Sequence, residues 1–220
     1  MKKVVTIHTS FVSVNYLASL FEALMPEVQL RNIVDDSLLA EIVEHGGITP
    51  NVVQRYCAYA LQAQRSGADL IFNQCSSAGF AADIAAKLVD IPIVKVDQAM
   101  AEEAVQLGSN IVVVATVAST IRPSVDLVVQ AARAAGKDVT VSSHLVEGAL
   151  DILMKEKNQI KHNHFVMDAL TQLSQNYDVI VLAQGSMVVL QDDLHRIKIP
   201  VLTSPRSGVL RVRSALGLPG

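Results

Sequence analysis

Short aliphatic runs alternate along this chain with longer segments in which apolar residues recur at helical spacing. The short runs are continuously apolar or nearly so, as in parallel strands that are buried on both faces. They predict strands at residues 3–8, 29–34, 70–73, 93–96, 111–115, 139–144, 179–182 and 201–203. The longer segments predict helices at residues 14–23, 51–65, 78–89, 98–107, 123–135, 159–175 and 205–216. Strand and helix in alternation indicate βαβ units, so we predict an α/β fold with parallel sheets.

The chain also repeats itself with a period of about 109 residues. The run DLIFNQCSS (residues 69–77) has the pattern of DVIVLAQGS (residues 178–186), and residues 3–9 match residues 111–117. Cys75 and Gln184 are equivalent positions, because each lies six residues after the aspartate that opens its run. The repeat predicts two pseudo-symmetric lobes, each a four-stranded parallel sheet flanked by helices, with the active site in the cleft between them. We assign residues 1–97 with 205–220 to the first lobe and residues 98–204 to the second.

Composition and charge narrow the class of protein. Half of the 220 residues are hydrophobic, and the net charge of −3 comes without any long run of Lys or Arg, so nucleic acid is not an expected partner. The apolar runs have the length of strands and are too short to cross a membrane. The chain opens directly into a strand without a secretory signal pattern, and it contains two cysteines. We therefore expect a soluble cytoplasmic protein. His162 and His164 are poorly spaced for a metal site, and no metal is predicted.

Polar residues and one glycine follow the predicted strands at their carboxyl ends, where parallel α/β sheets bind ligands. They are His8, Thr9 and Ser10, then Cys75, Ser76 and Ser77, then Thr116, Ser119 and Thr120, then Gln184, Gly185 and Ser186. Hydroxyls and backbone N–H groups at helix N-termini can hold a carboxylate or a similar anion without an arginine. The alternative is that these residues only cap helices.

Cys75 is the strongest candidate for chemistry. It lies at a predicted strand–helix junction between polar neighbours, where the helix dipole would lower the pKa of its thiol. Cys57 lies on an amphipathic helix among apolar neighbours and is expected to be a buried structural residue. His8 and His144 end predicted strands and are candidate second proton donors.

In these motifs, and in the duplicated layout, the chain resembles the aspartate/glutamate/hydantoin racemase superfamily. The motifs are NQCSS at residues 73–77, VAT at 114–116 with Ser119 and Thr120, LAQGSM at 182–187 and TSP at 203–205, and the resemblance covers essentially the whole chain. Enzymes of that family are cofactor-independent, and two cysteines, one from each lobe, exchange a proton at the α-carbon of a carboxylate substrate. The resemblance implies a small-molecule carboxylate or carbonyl substrate and no cofactor.

This chain departs from the family at Gln184, which stands where the second cysteine is expected. An amide does not titrate in the useful range and cannot serve as a general acid or base. What remains is a racemase- or isomerase-like enzyme with Cys75 as the acid/base, Gln184 donating to a substrate oxygen, and hydroxyls with backbone amides holding the anion. A single-cysteine lyase or decarboxylase is one alternative, and a non-catalytic small-anion-binding protein derived from a racemase is another. The sequence does not identify the substrate, and it is compatible with a homo-oligomer.

Overall fold

The computed structural model describes residues 1–219, with the side chains of all of these except Leu150, Leu153, Met154 and Ser186. The chain folds into two compact units. Unit 1 comprises Met1–Asp97 and Pro205–Gly220, and unit 2 comprises Gln98–Ser204. Among the described helices, none combines the length and the apolar character needed to cross a membrane.

Unit 1 contains the first four strands and the helices that cover them. Its strands are β1 (Lys2–His8), β2 (Val28–Val34), β3 (Leu70–Asn73) and β4 (Ile93–Lys95). Its helices are α1 (Val14–Leu24), α2 (Ser37–Glu44), α3 (Pro50–Arg65) and α4 (Gly79–Ala85), joined by the final helix of the chain, α9 (Ser204–Ala215). A 3₁₀ turn at Ser76–Ala78 separates β3 from α4.

Unit 2 contains the remaining strands and helices. Its strands are β5 (Asn110–Ala115), β6 (Thr140–Leu145), β7 (Val179–Leu182) and β8 (Val201–Thr203). Its helices are α5 (Gln98–Leu107), α6 (Ala118–Ala135), α7 (Ala149–Met154) and α8 (Gln159–Leu173), with 3₁₀ turns at Gly185–Leu190 and Leu194–Arg196.

Each unit holds one four-stranded parallel sheet, as the sequence predicts. The strand order is β2-β1-β3-β4 in unit 1 and β6-β5-β7-β8 in unit 2, so the two sheets share one topology. The inner strands are buried on both faces, which explains their unbroken apolar runs. The edge strands β2, β4, β6 and β8 all carry partly exposed residues, so the prediction that all strands are buried on both faces is wrong for these four.

The aspartates that open the two repeated runs, Asp69 and Asp178, make the same kind of contact in both units. The Asp69 carboxylate accepts a hydrogen bond from the backbone N–H of Lys3 at 2.8 Å. The Asp178 carboxylate accepts from the backbone N–H groups of Ser109 at 3.0 Å and Asn110 at 2.8 Å. In each unit, a carboxylate before the third strand therefore binds backbone donors at the start of the first strand, where the ladder between these two strands has not yet begun.

The register of the sheets corrects one detail of the sequence alignment. Val4 pairs with Leu70 in unit 1, and Ile111 pairs with Val179 in unit 2. The first strand of each unit is therefore offset by 107 residues, whereas the sequence match at residues 3–9 and 111–117 implies 108. Thr9 consequently corresponds to Thr116.

Several helix boundaries differ from the sequence prediction. Helix α6 begins at Ala118, five residues before the predicted start at Pro123. A proline inside a helix lacks one backbone N–H donor, and here the helix tolerates it while burying Val128 and Ala132 against the core of unit 2. The apolar pattern does not predict the short helices α2 and α7, and α4 ends well before the predicted residue 89.

Helix α9 packs closely on the end of strand β4 through Gly208. A Cβ at Gly208 would lie 2.5 Å from the carbonyl oxygen of Val96, a distance that real Cβ atoms do not adopt. Val209 and Val212 on the same helix are fully buried against the unit 1 sheet. The last helix of the chain is therefore part of the core of unit 1.

Candidate functional site

Cys75 lies two residues beyond the end of β3, at the carboxyl edge of the unit 1 sheet. The side chain of Thr9 and the backbone N–H groups of Ala78 and Ser77 lie near the thiol and favour its ionised form, and the Ala78 N–H donates to the Cys75 carbonyl at 3.1 Å. The residue is partly buried, and it packs against the apolar cluster between the sheet and helices α3 and α4. Donors near the sulfur stabilise a thiolate relative to the thiol.

The ionisation of Cys75 nevertheless contradicts the sequence prediction. Burial raises the pKa of the Cys75 thiol, and the hydrogen bonds from Thr9, Ala78 and Ser77 only partly oppose that shift. The expected long helix is absent at this point, because Cys75 is followed by a three-residue 3₁₀ turn and then by the seven-residue helix α4. The prediction of a lowered thiol pKa is therefore wrong, since desolvation outweighs the local dipoles.

Cys57 behaves as the sequence predicts. It lies in the middle of α3, it is buried in the apolar core of unit 1, and burial raises the pKa of its thiol.

A buried hydrogen-bond chain fixes the backbone at Cys75. The hydroxyl of Tyr56 donates to Asn73 Oδ1 at 3.0 Å, and Asn73 Nδ2 donates to the backbone carbonyl of Cys75 at 3.0 Å. Tyr56 and Asn73 are both completely buried. Asn73 belongs to the NQCSS motif, but sequence reasoning gives a role to neither residue. The signal that could have found them is a polar residue closing a buried strand and a tyrosine on the buried face of α3.

Asp97 is a further residue that sequence reasoning misses. Only 3% of its surface is exposed, and its carboxylate accepts a hydrogen bond from the side chain of Ser76, which is itself buried. Burial raises the pKa of the Asp97 carboxyl, and the hydrogen bond from Ser76 opposes that shift. The hydroxyl of Ser76 is thus directed to a protein carboxylate.

The other predicted hydroxyl residues of unit 1 differ in exposure and in hydrogen bonding. The hydroxyl of Ser77 is buried and has no hydrogen-bond partner among the described residues, so it retains its capacity to bind a ligand atom or water. Ser10 is partly exposed at the start of the loop that follows β1. Thr9 is buried and engaged with the thiol.

His8 does not join Cys75. Side chains alternate across a strand, and Ile7 packs in the cluster that also contacts Cys75, so His8 points to the opposite face of the sheet. There it is fully buried, and its Nε2 lies 2.9 Å from Asn32 Oδ1. Burial lowers the pKa of His8, and the hydrogen bonds to Asn32 and Gln74 oppose that shift. The structure therefore places His8 on the face of the sheet opposite to Cys75, and its role as a second proton donor stays a prediction.

In unit 2, Gln184 is held by Thr116. The backbone N–H of Thr116 donates to Gln184 Oε1 at 2.6 Å, and the Thr116 hydroxyl lies 3.1 Å from the same oxygen. Because a backbone N–H can only donate, the amide oxygen must face Thr116. The Nε2 group therefore points away from Thr116 with two hydrogens to donate, and Gln184 itself is partly buried.

The remaining predicted residues of unit 2 lie at the starts of two turns. Ser119 and Thr120 belong to the first turn of α6; Thr120 bonds back to the Val117 carbonyl at 2.6 Å, whereas the buried Ser119 hydroxyl has no partner among the described residues. Gly185 opens the 3₁₀ turn after Gln184. The backbone of Ser186 follows in that turn, but its side chain lies outside the described part of the structure.

His144 is separated from Gln184 within unit 2. It lies on the edge strand β6, where it pairs with Val114 of β5, and β5 lies between it and β7. Within its own unit, therefore, neither predicted histidine donor shares a strand or a neighbouring strand face with the candidate residue.

The two units use one arrangement at their carboxyl edges. In unit 1 a threonine beyond the first strand, Thr9, bonds to the residue that follows the third strand by two positions, Cys75. In unit 2 the corresponding Thr116 bonds to the corresponding Gln184. The duplication thus extends from the sheets to the contacts of the candidate residues.

A second polar cluster lies at the end of β2. Asp35 accepts hydrogen bonds from Tyr59 at 2.6 Å, from Ser37 at 2.7 Å and from Arg55, which also contacts Glu41 at 3.5 Å. Burial alone would raise the pKa of Asp35, but these hydrogen bonds together lower it. The cluster joins the end of β2 to α2 and α3, and its carboxylate is fully engaged by protein donors.

No group of three or more His, Cys, Asp or Glu side chains is positioned to hold a metal ion in the described part of the chain.

Solved structures with the same fold include two racemases and an aspartate racemase homologue. A glutamate racemase from Francisella tularensis in complex with D-glutamate superposes with a TM-score of 0.76 at 13% identity, over 98% of this chain and 81% of that one. An aspartate racemase homologue from Pyrococcus horikoshii superposes with a TM-score of 0.72 at 16% identity, over 99% and 100% of the two chains. An allantoin racemase from Klebsiella pneumoniae gives a TM-score of 0.63 at 17% identity, over 99% and 89%.

Sequence comparison leads to the same group. No curated protein sequence matches this chain. The family model for Asp/Glu/hydantoin racemases, however, matches residues 4–212, which is nearly the whole length. The chain therefore belongs to the Asp/Glu/hydantoin racemase family.

Proposed function

We propose that this protein is a cofactor-independent isomerase that moves a proton at the carbon next to the carboxylate or carbonyl of a small substrate. The observation that carries the proposal is the Cys75 thiol, which lies at the carboxyl edge of a parallel sheet near a threonine side chain and the backbone N–H groups of a turn, all of which favour its ionised form. Membership of the racemase family supports the reaction class. Solved racemases of the same fold act on glutamate and allantoin by their names, which supports small carboxylates and ureides as candidate substrates.

Cys75 is the acid/base in this proposal. Its thiolate removes the substrate proton and becomes a thiol, the electron pair moves to the carbonyl or carboxylate oxygen, and the thiol then returns the proton to carbon. The donors from Thr9, Ser77 and Ala78 stabilise the thiolate form, while burial favours the thiol form. This balance suits a group that must both take and give a proton within one cycle.

Gln184 serves as a hydrogen-bond donor in this scheme. Thr116 occupies the amide oxygen and leaves the Nε2 hydrogens for an acceptor such as an enolate oxygen. That Gln184 and Cys75 act on one substrate rests on the sequence repeat, in which they are equivalent positions. Since an amide cannot supply a second proton, we expect the proton to return on the face from which it left.

Deuterium exchange tests the proposal directly. Purified protein incubated in D₂O with aspartate, glutamate, allantoin or a hydantoin should incorporate deuterium next to the carbonyl, with little or no inversion of the chiral centre. Cys75→Ser should abolish the exchange, whereas Cys57→Ala should retain it, because Cys57 lies in the apolar core. Exchange that survives Cys75→Ser would overturn the assignment of the acid/base.

Substitution of Gln184 tests the second residue. Gln184→Glu keeps an oxygen for Thr116 but replaces the donating amide with a carboxylate, so exchange should fall strongly. Gln184→Cys introduces a second thiol and should confer inversion on a substrate that wild-type protein exchanges with retention. Inversion by the wild-type protein would instead show that another group supplies the second proton, and decarboxylation of a malonate would reassign the reaction to a lyase.

A further inference from the structure

The buried carboxyl of Asp97 has no part in the scheme above, yet it lies beside its central residue. Strands β1, β3 and β4 are neighbours, and Ile7, Asn73 and Lys95 are in register across them. Two residues further along each strand direction stand Thr9, Cys75 and Asp97.

These three residues lie just beyond the ends of neighbouring strands, and the strand that leads to Cys75 is the middle one. The contact of Thr9 with the thiol supports the first neighbour. The hydrogen bond from Ser76, the residue directly after Cys75, to the Asp97 carboxylate supports the second.

Asp97 is firmly held in this position. It is almost completely buried, and its carboxylate accepts hydrogen bonds from the side chain of Ser76 and from its own backbone N–H. Ser76 is the residue directly after Cys75, so the carboxylate is tied to the turn that presents the thiol.

The other charged and titratable groups around Cys75 contribute little net charge beside its thiol. Lys95 forms an ion pair with Asp83 of α4 at 2.8 Å, so each largely offsets the charge of the other. Tyr56 of α3 is fully buried, and desolvation raises the pKa of its hydroxyl well above the usual value, so it is neutral at physiological pH. Cys57, also on α3, has a pKa raised by burial and is a neutral thiol.

We propose that Asp97 is a positioning residue for Cys75: its buried carboxylate anchors the turn through Ser76 and places a negative charge beside the thiol. The proposal rests on the proposed function only in making Cys75 the acid/base. A negative charge beside the sulfur makes the Cys75 thiolate a stronger base towards the substrate proton, and it makes the thiol hold that proton until it is returned to carbon. Asp97 itself touches no reacting atom in this account.

The test is the pH dependence of Cys75 alkylation in the absence of substrate. Asp97→Asn keeps the size of the side chain and an oxygen for Ser76 but removes the charge, so the thiolate should form at lower pH. Iodoacetamide should then label Cys75 at pH 7 at least about threefold faster than in wild type, because loss of a nearby like charge favours the ionised form. Asp83→Asn is the matched control, since Asp83 is half exposed and paired with Lys95, and it should change the rate less.

Thr9→Val should have the opposite effect on the labelling rate. It removes a hydrogen-bond donor that favours the thiolate, so Cys75 should be labelled more slowly. An unchanged or slower rate in a folded Asp97→Asn protein, or an equal acceleration by Asp83→Asn, would overturn the proposal.

A measurement on unmodified protein covers the case in which Asp97→Asn does not fold. With ¹³C-labelled aspartate, the Asp97 carboxyl resonance should show a second inflection where Cys75 ionises, and Cys75→Ser should remove it. A single inflection in both proteins would refute the coupling. These results are independent of turnover: failure of Cys75→Ser to stop deuterium exchange would defeat the proposed function and leave the thiol–carboxylate coupling standing.

Discussion

The hydroxyl of Tyr56 offers a sharp test of how the candidate site is held. It is fully buried and donates to the buried Asn73 Oδ1 at 3.0 Å, and Asn73 in turn supports the carbonyl of Cys75. Tyr56→Phe removes one oxygen without opening a sizeable cavity, but it leaves Asn73 Oδ1 without its donor. A buried acceptor left unsatisfied costs about 1–3 kcal/mol, so the free energy of unfolding of unit 1 should fall by that amount.

Urea denaturation followed by circular dichroism measures the effect. With a dependence on urea of about 2 kcal/mol per molar, the midpoint should fall by about 0.5–1.5 M. Tyr59→Phe is the matched control on the same helix: Tyr59 donates to Asp35 at 2.6 Å, but it is partly exposed, and Arg55 and Ser37 remain as donors to that carboxylate. Its midpoint should move less.

A double-mutant cycle isolates the contact from other effects of the substitution. In an Asn73→Leu background no acceptor remains, so Tyr56→Phe should cost less there by about 0.5–3 kcal/mol, the usual coupling of residues in contact. Equal losses in both backgrounds, or a larger loss for Tyr59→Phe than for Tyr56→Phe, would refute the argument that a buried hydrogen-bond chain supports Cys75.

Three further predictions concern the stability of the two units. Gly208→Ala should lower the urea midpoint, since the new Cβ would meet the Val96 carbonyl oxygen at 2.5 Å and overpacking typically costs about 1–3 kcal/mol; Gly47→Ala, where nothing lies within 4 Å of the new Cβ, should not. Burial lowers the pKa of His8 in the folded state, so the unfolded state binds a proton at a higher pH than the folded state does. The free energy of unfolding should therefore fall as the pH drops below about 6.5. Urea midpoints measured between about pH 7.5 and 5 should depend less on pH in His8→Gln. Backbone hydrogen bonds lower the pKa of Asp178, so its contribution to the free energy of unfolding is present above about pH 3.9 and is lost on further acidification. Asp178→Ala should therefore lower the urea midpoint at about pH 7. A midpoint equal to that of the wild type would contradict the role of Asp178 at the start of β5.

The sequence alone determined the fold class and the candidate chemistry. Parallel strands with both faces covered leave continuous apolar runs, and β3, β5 and β7 have such runs, so their positions could be read directly. The aspartates at 69 and 178 align the two halves because each makes the same contact at the start of a sheet, and this made Cys75 and Gln184 recognisable as equivalent positions. That these two residues face each other across one cleft stays a prediction from the repeat.

Tertiary structure alone decided the electrostatics of the site. Sequence reasoning placed Cys75 at a helix start and predicted a lowered pKa, but the turn there is short and the thiol is desolvated, so the pKa is raised. Tyr56 and Asp97 lie 19 and 22 residues from Cys75 along the chain, and only the packing of α3 and the register of β4 bring them to it. Periodicity reports which face of a strand or helix is buried, whereas the pKa of a side chain depends on which groups from distant segments surround it, and that information exists only in the folded chain.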